Sequence, residues 1–326
     1  MIKGSKPGKS VIGLRADMDA LPITEVTGLP YASKNPGKMH ACGHDGHTAM
    51  LLGGAQYLAE TRNFAGTAVV IFQPAEEGGA GGKAMVDDGL MEKFGIEEVY
   101  GLHNLPGLDV GQFAICEGPI MASTDEFTIE IKGKGAHAAM PHRGIDPVVA
   151  GAQLVSMLQT IVSRSTDPLD GLAVSVTQFH AGNTYNVIPE TASINGTIRA
   201  LNGETRSHAE KRLREILQGV MDANECTYTL DFRVGYPVTV NHPEQTQKAA
   251  NIAKQIAGEN MVDTQRDPML GGEDFAYMLE ARPGAYIFMG NGDTAGLHHP
   301  AYDFNDEAIP HGASYWARLV EGLLAA

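Results

Sequence analysis

Two textures of hydrophobic pattern alternate along the chain. Val11–Leu14, Thr67–Phe72, Val99–Leu102 and Ala285–Met289 are short apolar runs with no polar alternation. Such runs predict strands buried on both faces of a parallel sheet. Between them, Thr48–Glu60 places Met50, Leu51, Ala55 and Leu58 at helical spacing, and a Gly-rich turn leads into a helix near Ala84–Gly89. From about Ser123 to Asn241 the texture changes. Asp125–Lys132 and Thr227–Phe232 alternate, Leu172–Phe179 and Ala192–Ala200 are strand-like, and Pro147–Val162 and Arg206–Ala223 are helical by spacing. That β-α-β-β-α-β order is the ferredoxin-like pattern. The expected fold class is therefore α/β: an open, mostly parallel sheet with helices on both faces, built from residues 1–122 and 241–326. A ferredoxin-like α+β domain over 123–240 is inserted into it.

Ligands of open α/β sheets bind beyond the carboxyl ends of the strands. Cys42, His44, Glu76, Glu77, His103 and His298 are all expected in loops, most of them directly after a strand. The stretch Met39–Thr48 (M-H-A-C-G-H-D-G-H-T) concentrates imidazoles, a thiol and a carboxylate between two glycines. Neutral imidazole and thiolate are strong protein donors for borderline divalent ions. Asp17 and Asp19 fall at the end of the first strand, which Pro22 closes. The adjacent carboxylates Glu76 and Glu77 can divide labour at a metal site, one on the ion and one taking a proton from water. Gly78-x-x-x-Gly82-Lys83-Ala84 fails as a phosphate loop, being one residue short and lacking the hydroxyl for magnesium. No H-E-x-x-H occurs, and Cys42 with His44 is poorly spaced for a nucleophile–base pair.

Composition narrows the class without changing the fold. Lys+Arg 24 against Asp+Glu 39 gives a net charge of −15, which disfavours nucleic acid and anionic membranes as partners. Hydrophobic content of 43% with 19% charged residues describes a soluble globular chain. The three cysteines, Cys42, Cys116 and Cys226, are odd in number and far apart, so no disulfide framework is expected. With no apolar leader and no run of about 18 apolar residues, a cytoplasmic location is expected.

Six motifs, in order, then carry a resemblance: R-A-D-M-D-A-L-P-I (15–23), M-H-A-C-G-H-D-G-H (39–47), Q-P-A-E-E (73–77), G-L-H-N (101–104), G-A-H-A-A-M-P-H (135–142) and L-H-H-P (297–300). From about Val11 onward the chain resembles the metal-dependent amidohydrolases that include hippurate hydrolase, the auxin–amino-acid conjugate hydrolases and the N-acyl-amino-acid deacylases. These belong to the wider aminoacylase and carboxypeptidase G clan. The resemblance implies two divalent ions (Zn, Mn, Co or Ni) on Cys42, His44, Glu77, His103 and His298, with Glu76 as general base. It implies Asp19 as an orienting partner behind the ligands, and His40, His47 and His299 as packing or supporting residues. It also implies His137 as an oxyanion donor, Asn186 and Arg199 as substrate-holding groups, and the inserted domain as a lid and dimerisation module. A homodimer or tetramer acting on small N-acyl amino acids follows from it, with a dipeptidase, an allantoate-type amidase or an inactive metal-binding module as rivals. Gly272-Glu273-Asp274-Phe275 resembles a family segment and reads equally well as a helix N-terminus. Members normally carry several dozen residues ahead of R-A-D-M-D-A. A sheet edge stripped of cover is the corresponding expectation.

Overall fold

The computed structural model describes residues 1–325. The chain divides into two compact units, one of residues 1–120, 239–267 and 274–326, the other of 121–238 and 268–273. The segment 268–273 follows the second unit because Ala122 N donates to Met269 O and Gly271 O at 3.1 and 2.8 Å.

The first unit is built on a seven-stranded sheet. Its parallel centre runs Ala65–Gln73, Lys6–Asp17, Glu98–Leu105, Gly284–Gly290. Gly284–Gly290 is buried along its whole length, and Glu98–Leu105 at all but its first residue. Continuous burial without alternation means that both faces are covered, as the apolar runs predicted. Both edges end in two-residue strands, Ile2–Lys3 antiparallel to Ala65–Gln73 and Val262–Asp263 beside Phe113–Ala114. Ile2–Lys3 pairs only with Ala68 and Thr67, so among the described residues Val69–Gln73 has no strand on its outer side, as expected of a sheet edge with little cover. Among the described residues, no helix is long and apolar enough to cross a membrane.

Helix His44–Thr61 crosses Ile309–Leu323 at a seam of small residues. A Cβ at Gly54 would stand 2.8 Å from the Cβ of Trp316 and 3.2 Å from the Ala313 carbonyl oxygen. Trp316, Tyr315, Leu319 and Val320 from one helix, with Met50, Leu51 and Leu58 from the other, join the strands' apolar side chains in the main core.

The second unit carries a four-stranded antiparallel sheet ordered Thr227–Val234, Ser123–Lys132, Thr191–Ala200, Leu172–Ala181. Its helices are Pro147–Ser165 and Gly203–Ala223. Each begins on a side-chain cap: Asp146 Oδ1 accepts from Val148 N at 2.9 Å, and Asn202 Oδ1 from Thr205 N at 2.7 Å. Ser123–Lys132 alternates buried and outward residues, so Phe127, Ile129 and Ile131 meet Leu154, Leu158, Leu213 and Leu217 in a separate core. This is the ferredoxin-like order and strand arrangement.

The Gly54 seam yields a stability prediction. Gly54→Val should lower the unfolding free energy by about 1–3 kcal/mol through overpacking against Trp316. Urea unfolding checks it, and an unchanged midpoint would show that the helices separate freely.

Candidate metal centre

Parallel register aligns the four central strands: Asp17 pairs with Gln73, Arg15 with Gly101, and Gly101 with Tyr286. Beyond the Asp17–Gln73 pair lie Asp19, the turn holding Cys42, and the Glu76–Glu77 segment. Several expected loop positions need correction here. His44 is the first residue of a helix, His103 lies inside Glu98–Leu105, and Glu76 and Glu77 open a distorted helical turn in which Glu77 and Gly78 leave helical geometry. The reason is local: Gly43 at φ 83° and Ala75 at φ 56° turn the chain sharply, so regular structure restarts at once. A Cβ on Gly43 would meet the Asn104 amide and lie 2.5 Å from the Tyr302 hydroxyl.

The five expected metal donors, Cys42, His44, Glu77, His103 and His298, converge. Cys42 Sγ lies 3.4 Å from His103 Nε2. Ligating atoms of Cys42, His44 and Glu77 all fall within 4.8 Å of one another. Glu77 Oε1 stands 3.1 Å from His298 Nε2, and His298 N donates to Ala41 O at 2.7 Å, tying its loop to the thiol turn. His298, at φ 63°, and Ala75 are non-glycine residues in the left-handed region, a strain that clusters at functional sites. Asp19 Oδ1 lies 3.2 Å from His44 Nδ1, and its Oδ2 accepts from Glu77 N at 3.0 Å, so one carboxylate orients two of these residues. Glu76, the residue before Glu77, is buried at 7% exposure, and one of its carboxylate oxygens lies within 4.8 Å of one of Asp274's.

The donor set fits a divalent cation on structural grounds. His44 Nε2 is buried with no hydrogen-bond partner, while its other nitrogen faces Asp19. His103 Nδ1 donates to the Asn104 carbonyl at 2.6 Å, which leaves the Nε2 lone pair facing the Cys42 thiol. This is the arrangement in which a partner on one imidazole nitrogen readies the other for a metal. Burial pulls the His103 pKa down to about 4, so the ring is neutral and able to ligate near neutral pH. Burial also opposes the His44 imidazolium, but the Asp17 charge and the Asp19 hydrogen bond outweigh it and raise the His44 pKa to about 9. Glu77 beside His298 raises the latter's pKa.

The sequence reading missed the layer beneath. Asp17 is fully buried, with Oδ2 at 2.7 Å from Arg15 Nη1 and Oδ1 at 2.6 Å from His47 Nδ1. Despite its burial, the charges of Arg15 and His44 and the hydrogen bond from His47 hold its carboxyl well below the usual range. Asp274 accepts from Arg15 Nη2 at 3.0 Å, from Gln73 Nε2 at 2.7 Å and from Gly82 N at 2.7 Å. Asp274 is thus a buried counter-ion that also ties down a backbone amide, and the helix behind it starts later, at Ala276. Only the buried-strand pattern around Arg15 could have flagged this layer: a charge inside an apolar strand requires a partner.

In the second unit, His137 and Asn186 lie side by side. Ala138 N donates to Asn186 O at 3.0 Å, and Val187 pairs with His137 in a short ladder. Arg199, on Thr191–Ala200, is half-buried, and its guanidinium makes no ion pair or hydrogen bond among the described residues. Cys226 is buried and Cys116 half-buried, neither in a disulfide.

His44 sets a pH dependence. In the metal-free protein, its raised pKa means that the imidazolium's contribution to stability is complete below about 6.5 and fades as pH climbs through about 9. A cation must displace that proton, so apparent affinity should rise at least about tenfold per pH unit below 9. Titration with Mn²⁺ at pH 6, 7 and 8 checks this, and a flat affinity would remove His44 from the ligands.

With this geometry in view, the chain can be set beside known proteins. Hippurate hydrolase of Campylobacter jejuni is 44% identical over 317 residues, spanning 97% of this chain and 82% of that protein. N-acetyl-L-cysteine deacetylase of Bacillus subtilis is 43% identical over 94% of this chain and 73% of its own length. The crystal structure of the Bacillus subtilis YXEP protein, described as a dinuclear metal-binding peptidase from the M20 family, superposes with a TM-score of 0.84. It shares 37% identity, over 99% of this chain and 83% of that one. The model of peptidase family M20/M25/M40 matches residues 13–322, and the chain belongs to that family.

Proposed function

We propose that the protein hydrolyses the amide bond of N-acyl amino acids, releasing a carboxylic acid and a free amino acid. The observation that carries this reading is the convergence of Cys42, His44, Glu77, His103 and His298, with Glu76 buried next to Glu77 in the chain. These five residues would hold two divalent ions. When bound, such ions acidify water and polarise an amide carbonyl. Zinc, manganese, cobalt and nickel all suit the donor set, and availability decides among them. Three unpaired cysteines agree with a reducing compartment, and the cytoplasm is the location in this reading.

In this reading Glu76 takes the proton of the attacking water and delivers it to the leaving nitrogen. Asp19 keeps His44 and the Glu77 backbone in place while it does so. His137 donates to the carbonyl oxygen as negative charge develops there, the role an oxyanion donor plays in acyl transfer. Asn186, bonded through its backbone to the same turn, holds the substrate with it. The half-buried and unpaired Arg199 offers a planar fork to the carboxylate of the amino-acid half. The hippurate hydrolase and deacetylase relatives favour aromatic acyl or acetyl groups on that amino acid. Assembly as a homodimer or tetramer is part of the same reading, and light scattering of the full chain decides between them.

Two substitutions test the reading. Glu76→Gln should lower kcat by about 10²- to 10⁴-fold, the usual weight of general-base catalysis, with metal content at the wild-type level. Lost metal would make Glu76 a ligand and end its role as base. Arg199→Ala should weaken kcat/KM on N-benzoylglycine by roughly tenfold or more, the scale of one charge-assisted hydrogen-bonded pair, and leave the methyl ester little changed. Equal losses on acid and ester would rule out the carboxylate clamp.

A further inference from the structure

Asn104 has a partner at every polar atom it owns. Its carbonyl accepts from His103 Nδ1 at 2.6 Å. Its backbone N–H donates to His47 Nε2 at 2.9 Å. Side-chain Nδ2 donates to the Cys42 carbonyl at 2.6 Å and lies 2.9 Å from His47 Nε2, while Oδ1 accepts from the Tyr302 hydroxyl at 2.9 Å. The residue has no exposure to solvent.

The directions of these bonds are not interchangeable. A carbonyl only accepts, so the Cys42 oxygen fixes which end of the amide carries the protons. A backbone N–H only donates, so His47 Nε2 is the acceptor and the His47 proton sits on Nδ1, facing Asp17 Oδ1 at 2.6 Å. Asp17 in turn is held by Arg15 at 2.7 Å. A single orientation therefore runs from the buried guanidinium to the thiol turn, with no member free to flip.

Cys42 and His103 come from different elements, a turn and a strand, yet their ligating atoms lie 3.4 Å apart. Asn104 is covalently next to His103 and hydrogen-bonded to the main chain of Cys42. We propose that Asn104 is a positioning residue that sets the separation of the Cys42 thiol and His103 Nε2, its amide locked by His47 and Tyr302. The proposal rests on reading Cys42 and His103 as metal donors. It adds to that reading the device that holds them at working distance.

The test uses the full chain with Asn104→Ala and the milder Tyr302→Phe. One readout is Co²⁺ titration, in which a sulfur-to-cobalt charge-transfer band reports thiolate ligation. The other is alkylation of Cys42 by iodoacetamide in metal-free protein, resolved by peptide mass spectrometry. Asn104→Ala should weaken Co²⁺ binding by about 10- to 100-fold, the usual weight of a group behind a ligand. The band should be weaker even at saturation, and Cys42 should alkylate several-fold faster. Tyr302→Phe should move all three in the same direction by less. A role in general stability alone would lower the melting temperature but leave the saturated band unchanged. A folded Asn104→Ala protein with the wild-type band and alkylation rate overturns the proposal. Should that variant not fold, an unchanged band and rate in Tyr302→Phe overturn it instead. If wild-type protein binds no Co²⁺, the metal reading falls, and the alkylation rates alone then decide whether Asn104 clamps the turn.

Discussion

A guanidinium with no access to water must find its counter-charge where it lies, and the carboxyl end of the parallel sheet is arranged around that requirement. Arg15 is fully buried between Asp17 and Asp274, both of them also without solvent exposure. Buried pairs of this kind add little net stability over an apolar core. Removing one member costs about 3–5 kcal/mol, because a lone charge is left behind. What they supply is direction. Gln73 and the Gly82 amide complete the shell of Asp274, and His47 completes that of Asp17. The segments bearing Glu76, Glu77 and Cys42 are all fastened within a bond or two of this cluster.

The layer above it is polar for a different reason. Of its imidazoles, burial keeps His103 neutral, whereas Asp17 and Asp19 favour the protonated form of His44 in the metal-free protein. Asp19 sits between the layers, touching His44 with one oxygen and the Glu77 backbone with the other. A rigid charged floor beneath an exchangeable set of donors is a sound way to preorganise a cation site.

Much of this was legible beforehand, and the illegible part has a common cause. The strands Glu98–Leu105 and Gly284–Gly290 were readable because burial on both faces leaves unbroken apolar runs, and Pro147–Ser165 because its apolar residues recur at helical spacing. The motifs around Cys42, Glu76, His103 and His298 singled out residues that the fold then brings together. They did not say that His44 begins a helix or that His103 stays within its strand, since tight turns at Gly43 and Ala75 decide where regular structure resumes. Nor could they pair Arg15 with Asp274 across 259 positions of sequence, or show Asn104 to be anything but the residue after a candidate ligand. Local pattern reveals what a residue is able to do, whereas long-range contacts decide which partner it gets.

The discontinuity of the first unit also bears on how a nascent chain matures. Strand Gly284–Gly290 must dock beside Glu98–Leu105 after the whole antiparallel unit has been synthesised between them. Closing so long a loop is slow when the intervening chain is floppy, because its entropy opposes every distant contact. An insertion that first collapses on its own core brings the two flanks nearer together. Order of emergence thus favours the smaller unit as the early folder, with the cation-binding half completed last.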